Sequence, residues 1–139
     1  MDKTIPWDML AKEARAAAKH AYVPYSRFAV GAAILTAEGK IVRGCNVENA
    51  SYGLTNCAER TAIFTAKADG MQEVVAVCIY TPTAVPTPPC GACRQVILET
   101  EKRYGQPIRI LLYGRECIYE VKSIGDLLPL SFDASAMEE

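Results

Sequence analysis

Three cysteines and one glutamate carry the chemistry open to this sequence. Cys90 and Cys93 stand three residues apart in Pro89-Cys90-Gly91-Ala92-Cys93. Across the first turn of a helix, that spacing turns both sulfurs toward one metal ion. Pro89 suits the position before it, because proline lacks only an amide hydrogen that a helix start does not need. Cys57 stands at the predicted start of another helix. Unpaired amides at such starts favour thiolate over thiol. If the two starts meet, three sulfurs converge. Three thiolates would leave zinc's fourth tetrahedral position to water, the arrangement of a catalytic site. Glu59 lies two residues beyond Cys57. On one helix those side chains diverge by about 200°. That disfavours Glu59 as a ligand of the same ion and leaves it free to reach over the metal's open face.

Each of these residues has a plainer reading. A C-x-x-C pair also makes a redox dithiol, normally after a strand and at the head of a long helix. A glutamate in a helix's first turn also serves as a partner for the helix dipole, worth about 0.3–1 kcal/mol. Cys45, Cys78 and Cys117 sit in or beside apolar strands, where cysteine behaves as a small core residue. Any of them acting as a fourth ligand would close the site as a structural one. Three thiolates and one divalent ion leave a net negative charge, which weakens the ion's pull on water. Arg60 and Arg94, each close behind a ligand, are candidates to offset it. Their alternative is a surface salt bridge.

Those residues need helix starts and strand ends to hold them. Trp7, Leu10, Ala14, Ala17 and Ala21 recur at spacings of three and four, with Lys12, Glu13, Arg15 and Lys19 mostly opposite. The period predicts an amphipathic helix over 7–21, with an alanine stripe able to pack closely on a sheet. Pro24 ends it, and 22–27 reads as a loop. Residues 28–36 read as a strand with Gly31 inside it, 37–40 as a turn, and Ile41–Cys45 as the returning strand of a hairpin. The polar run 46–53 is a loop. A helix begins around Cys57, striped by Ala58, Ala62, Ile63 and Ala66, and Gly70 ends it. Val74–Tyr80 reads as a buried strand. Pro82, Pro86, Pro88 and Pro89 make the next segment stiff and non-helical. A third helix runs from Cys90 to about Tyr104. Strands at 108–113 and Ile118–Val121 follow, then a short helix at 123–128 closed by Pro129. Helices separating single buried strands predict an α/β domain of three layers, a mixed five-stranded sheet covered by helices on both faces.

The chain has 139 residues, 15 basic and 16 acidic. That length predicts one domain over 1–139, with 129–139 as a C-terminal tail. Half the residues are apolar, which excludes general disorder. No dense basic block is present, so a long polyanion is not expected as the main partner, although net charge alone leaves a short single strand open. No glycine-rich phosphate cradle stands near the motifs, which favours nucleoside over nucleotide. No run approaches the ~20 apolar residues that span a bilayer, and no basic segment followed by an apolar run opens the chain. The expectation is a cytoplasmic protein without membrane contact, its cysteines reduced or metal-bound.

Cys57-Ala58-Glu59-Arg60-Thr61-Ala62, followed by Pro89-Cys90-Gly91-Ala92-Cys93-Arg94-Gln95, resembles the small homotetrameric zinc-dependent cytidine deaminases in their all-cysteine form. Tyr25-Ser26-Arg27-Phe28-Ala29-Val30-Gly31-Ala32-Ala33 resembles the family's first strand region. Gly44-Cys45-Asn46-Val47-Glu48-Asn49-Ala50 resembles its nucleoside-binding loop, and Leu127-Leu128-Pro129 with Phe132 its closing segment. The resemblance implies one zinc ion per subunit on Cys57, Cys90 and Cys93, with Glu59 as proton shuttle. It implies that Phe28 stacks on the base, that Asn46 and Glu48 hold the sugar hydroxyls, and that backbone around Ala58 fixes the pyrimidine carbonyl. Phe132 would join a lid over a pocket shared between subunits of a homotetramer. The implied reaction is hydrolysis of cytidine and 2′-deoxycytidine to uridine and 2′-deoxyuridine, with release of ammonia. By position alone, Phe28 also reads as a core residue, and Asn46 and Glu48 as a solvated loop. The nearest rival activity is deamination of a modified pyrimidine nucleoside or blasticidin. A structural zinc module is the rival of a different class, marked by a fourth protein ligand.

Overall fold

The computed structural model describes residues 4–70 and 73–137. The sheet has five strands: β1 (Gly31–Thr36), β2 (Ile41–Cys45), β3 (Val74–Tyr80), β4 (Arg109–Tyr113) and β5 (Ile118–Val121). Their spatial order is β2-β1-β3-β4-β5. Only β3 and β4 run parallel; the other neighbours are antiparallel. The parallel pair needs a crossover, and the helix α3 (Gly91–Tyr104) supplies it.

Alternation along the strands divides the core into two. Ala33, Leu35, Ala76, Cys78 and Leu111 face α1 (Trp7–Ala18) and pack with its Trp7, Leu10 and Ala14. Ala32, Ile34, Val77, Ile79, Ile110 and Leu112 face the other way, onto Ala62, Ile63 and Ala66 of α2 (Ala58–Ala68) and Ile97 and Leu98 of α3. The mixed sheet therefore lies between helices, the three-layer arrangement that the order of elements predicts. No described helix is long and apolar enough to cross a membrane.

The alanine stripe of α1 lets backbone meet backbone. A Cβ on Gly31 would stand 1.8 Å from the Ala14 carbonyl oxygen. Two boundaries differ from expectation by three residues each, and the short helix expected at 123–128 is a single 3-10 turn over Ile124–Asp126. α1 stops at Ala18, three residues early, where the Lys19 and His20 amides turn back to the Ala16 and Ala17 carbonyls. The first strand starts at Gly31 and not at 28. Asn46 is the cause, because its side chain does what a ladder would do. Its Oδ1 accepts from Val30 N at 2.9 Å and its Nδ2 donates to Phe28 O at 2.7 Å.

That local substitution matters for position. The N-terminal end of β1 and the C-terminal end of β3 lie side by side, Gly31 opposite Tyr80. Phe28–Val30 therefore emerge at the same sheet end as the proline-rich run that follows β3. The helix starts of α2 and α3 arrive there too.

Candidate metal centre

Cys57 and Cys90 are each the residue just before a helix, with extended backbone at φ -77°, ψ 160° and φ -67°, ψ 169°. Each carbonyl accepts the first helical bond, from Thr61 N and Arg94 N, both at 3.0 Å. Cys93 follows in the first turn of α3. The sulfurs of Cys57 and Cys90 are 3.6 Å apart and those of Cys90 and Cys93 are 3.5 Å apart. All three lie within 4.8 Å of one another. Sulfurs about 2.3 Å from one zinc ion at tetrahedral angles stand about 3.8 Å apart. The donor set, its spacing and its position at two helix starts fit zinc, and the chain carries one Cys₃ site for it. Among the described residues, no further histidine, cysteine or carboxylate joins this group. Cys78 is buried in the α1-facing core, where burial pushes its thiol up to about 12.

Charge within the trio is uneven. Hydrogen bonding with Cys93 pulls the Cys57 thiol down to about 5, and the Arg60 guanidinium works the same way. That same hydrogen bond, with burial, holds the Cys93 thiol up. The two thiols therefore shift in opposite directions, and metal binding would release the protons they hold. Arg60 Nη2 reaches Cys57 Sγ at 3.3 Å and Thr55 O at 3.4 Å. Arg94, expected to offset the site's charge, is bonded to main-chain oxygens. Its Nε donates to Pro89 O and its Nη1 to Leu127 O, both at 2.8 Å. It braces the segment entering α3 against the chain after β5.

Glu59 is only 3% exposed, one of few buried polar side chains among the described residues. Burial pushes its carboxyl above the usual carboxylate range, and the Cys57 charge adds to that against a backbone hydrogen bond. The 200° divergence assumed two residues on one helix. Cys57 lies before the helix, so its extended backbone lets its sulfur and the Glu59 carboxyl share one locality.

A cavity of about 200 Å³ opens there, bordered by Cys57, Ala58, Glu59 and Cys90 on one side and Phe28, Val30 and Asn46 on another. Thr81, Thr87 and Pro88 form a further wall. A larger, more open groove of about 640 Å³ runs over β2 between Lys40, Arg43 and Thr65. None of the three sulfur ligands borders it, so size does not mark the chemistry here.

The remaining expected residues fall into two groups. Ala58 is fully buried, and as the first residue of α2 its amide has no partner within the helix. Asn46 lines the cavity with half its amide already engaged by Phe28 and Val30. Glu48 does not border the cavity. Its Oε1 accepts from Tyr25 N at 3.0 Å and Ser26 N at 3.1 Å, and its Oε2 from the Ser26 hydroxyl. Those bonds hold its carboxyl below its ordinary range, the Ser26 hydroxyl contributing most. Phe132 is 61% exposed and borders no described part of its own chain's cavity. Its carbonyl accepts from Gln95 Nε2 at 3.0 Å. Sequence reasoning missed Ser26, Thr81 and Thr87. Hydroxyls in loops give no periodic signal, and only the fold shows what they tie together.

Known proteins agree with this geometry. The model of the cytidine and deoxycytidylate deaminase zinc-binding region matches residues 7–104. A cytidine deaminase of Halalkalibacterium halodurans is 48% identical over 131 residues, spanning 94% of this chain and 97% of that one. One from Mycobacterium tuberculosis is 43% identical over 131 residues, spanning 92% and 90%. The crystal structure of cytidine deaminase from Burkholderia pseudomallei superposes with a TM-score of 0.85 at 46% identity, covering 92% of this chain and all of that one. With three sulfurs at two helix starts and this extent of likeness, the chain belongs to the cytidine and deoxycytidylate deaminase zinc-binding family.

Proposed function

We propose that this zinc-dependent deaminase acts on free cytidine and 2′-deoxycytidine, with Glu59 moving the protons. The observation that carries the reading is a carboxyl buried against three convergent sulfurs at one side of a small cavity. When bound to Cys57, Cys90 and Cys93, zinc supplies a Lewis acid that makes water acidic enough to serve as a nucleophile near neutral pH. Glu59 takes the proton from the attacking water, hands one to N3 of the base, and delivers one to the departing nitrogen. Water's oxygen first bonds to C4 as N3 takes its proton, and the C4–N4 bond then breaks as the nitrogen is protonated, so cytidine and water become uridine and ammonia. A carboxyl raised by burial both accepts and returns a proton at modest cost. Removing water from around it strengthens its interactions with the ring.

Phe28 gives the base an apolar face. The Ala58 amide is a free donor for the ring's carbonyl oxygen. Asn46 has two N–H groups and two lone pairs, and backbone engages one of each. One donor and one acceptor remain for a sugar hydroxyl. Glu48 accepts three hydrogen bonds and keeps about one acceptor position. Polar groups left unpaired penalise a ligand without a sugar, which favours nucleoside over free cytosine.

Residues 1–139 act as a single catalytic domain, working as a homotetramer in the cytoplasm. The 129–139 tail of one subunit closes a neighbour's pocket through Phe132. The exposed Phe132, Tyr52 and Leu54 support this if subunit contact gathers them into one apolar patch, the feature that marks interfaces.

An ultraviolet assay with cytidine, 2′-deoxycytidine, cytosine and cytidine monophosphate, paired with metal analysis, tests the reading. Both nucleosides should turn over, with the base and the nucleotide far slower and one zinc per chain. Glu59→Gln should keep its zinc and lose about 10²–10⁴-fold in kcat. Full turnover by that variant would remove Glu59 from the reaction.

A further inference from the structure

We propose that the buried hydroxyl of Thr81 is a positioning residue for the metal centre, acting through the proline-rich strap that delivers Cys90. The inference rests on the reading of Cys57, Cys90 and Cys93 as zinc ligands. The strap runs from the end of β3 to the start of α3. Its first half is fixed to the β4–β5 turn by main-chain bonds: Thr81 N to Tyr113 O at 3.1 Å, Arg115 N to Thr83 O at 2.8 Å, and Glu116 N to Ala84 O at 3.0 Å. Gly114 lets the two chains meet, since a Cβ there would stand 2.8 Å from Ala84 O.

The second half has almost no backbone donors. Pro86, Pro88 and Pro89 carry no N–H. Between Val85 and Cys90, Thr87 supplies the sole amide hydrogen, and it goes to Thr81 Oγ1 at 3.1 Å. The Thr83 hydroxyl directs its single hydrogen to Val85 O. Its lone pairs therefore receive the hydroxyls of Thr81 at 3.1 Å and Thr87 at 3.2 Å. The three hydroxyls form a chain that the Thr87 amide closes, with Thr81 donating to Thr83 and accepting from Thr87 N. Thr81 is 3% exposed, so water does not replace its oxygen cheaply. Without that oxygen, the Thr87 amide loses its partner two residues before the Pro89-Cys90 step. The Cys90 sulfur, held near 3.6 Å from Cys57, then has more positions open to it.

Zinc affinity measured by chelator competition tests this with purified full-length protein. Thr81→Val keeps the shape and removes the hydroxyl; it should weaken zinc binding about tenfold, about 1.4 kcal/mol. Thr81→Ser should stay within about twofold of the parent, by the same conversion. Thr83→Val, a second break in the chain, should also weaken binding, and it keeps the test alive if Thr81→Val folds poorly. Thr36→Val is the control. It removes another buried hydroxyl that accepts a backbone amide, from Lys40, at the opposite sheet end. It should lower Tm and leave zinc affinity unchanged. Unchanged affinity in Thr81→Val and Thr83→Val, or equal loss in Thr36→Val, overturns the inference. If the parent itself binds no zinc, the reading of the sulfur trio fails first and takes this one with it.

Discussion

Among residues, the two arginines that follow the ligand motifs have separated roles. Arg60 touches the Cys57 sulfur, whereas Arg94 spends Nε and Nη1 on carbonyl oxygens. Hydrogen bonds to charged groups are worth about 1.5–3 kcal/mol, so Arg60→Gln should reduce zinc affinity or kcat about ten- to hundredfold, with KM nearly unmoved. Metal titration and steady-state kinetics would read this, and a change confined to KM would count against it. The cysteines separate in the same way. Cys78 packs beneath α1 away from the sulfur trio. Cys78→Ser puts a hydroxyl in that dry cluster, costing about 1–3 kcal/mol in denaturant melts while zinc stays at one per chain. Cys93→Ser should shed the metal. Equal zinc loss in both variants would contradict the assignment. Spacing singled out the Cys90–Cys93 pair and Glu59 as candidates, because those relations are local, and the family resemblance supplied their expected roles. Asn46 as a substitute for a strand ladder was not visible. A side-chain amide bridging residues 28 and 30 depends on a turn that brings 46 alongside them.

Elements set the precision of the site through close backbone contact. Gly44 on β2 faces the start of α2, where a Cβ would stand 2.5 Å from both Ala58 O and Ala62 N. A methyl there pushes directly on the helix that starts right after Cys57 and carries Ala58 and Glu59 in its first turn. Overpacking of this kind costs about 1–3 kcal/mol, occasionally more. Gly44→Ala should therefore lower Tm and weaken zinc binding together. A stability loss with intact zinc affinity would mean that α2 yields without moving its start. The strand order itself was only partly legible. Apolar runs and turn residues predicted which segments are strands and that the first two pair as a hairpin, and the order of elements predicted helices on both faces. Such runs carry no information on the other neighbours, since Val74–Tyr80 is apolar along its length and matches several partners. The parallel pairing of β3 and β4 follows from α3 spanning the gap, a relation between elements and not a property of either strand.

For the whole molecule, the unresolved economy is apolar surface. Tyr52 is 74% exposed and Leu54 67% exposed, both in the loop leading to Cys57. Phe132 lies in the tail, its carbonyl tied to α3 through Gln95 while its ring faces solvent. A lid built from the chain's own tail would bury that ring, whereas a lid given to a neighbour would leave it exposed until subunits meet. Mixed subunits distinguish the two. Phe132→Ala alone should raise KM about tenfold and leave kcat nearly unchanged, the pattern of lost binding shared by ground and transition states. Glu59→Gln alone should be close to inactive. Co-refolding the two variants creates sites that combine an intact Glu59 with a partner's intact Phe132. If the tail serves the neighbouring pocket, the mixture should gain a population with parental KM. If the tail closes its own pocket, every site with Glu59 still lacks its phenylalanine, and KM stays high at all mixing ratios. Light scattering on the same samples shows whether the subunits associate, so a missing rescue cannot be blamed on failed assembly.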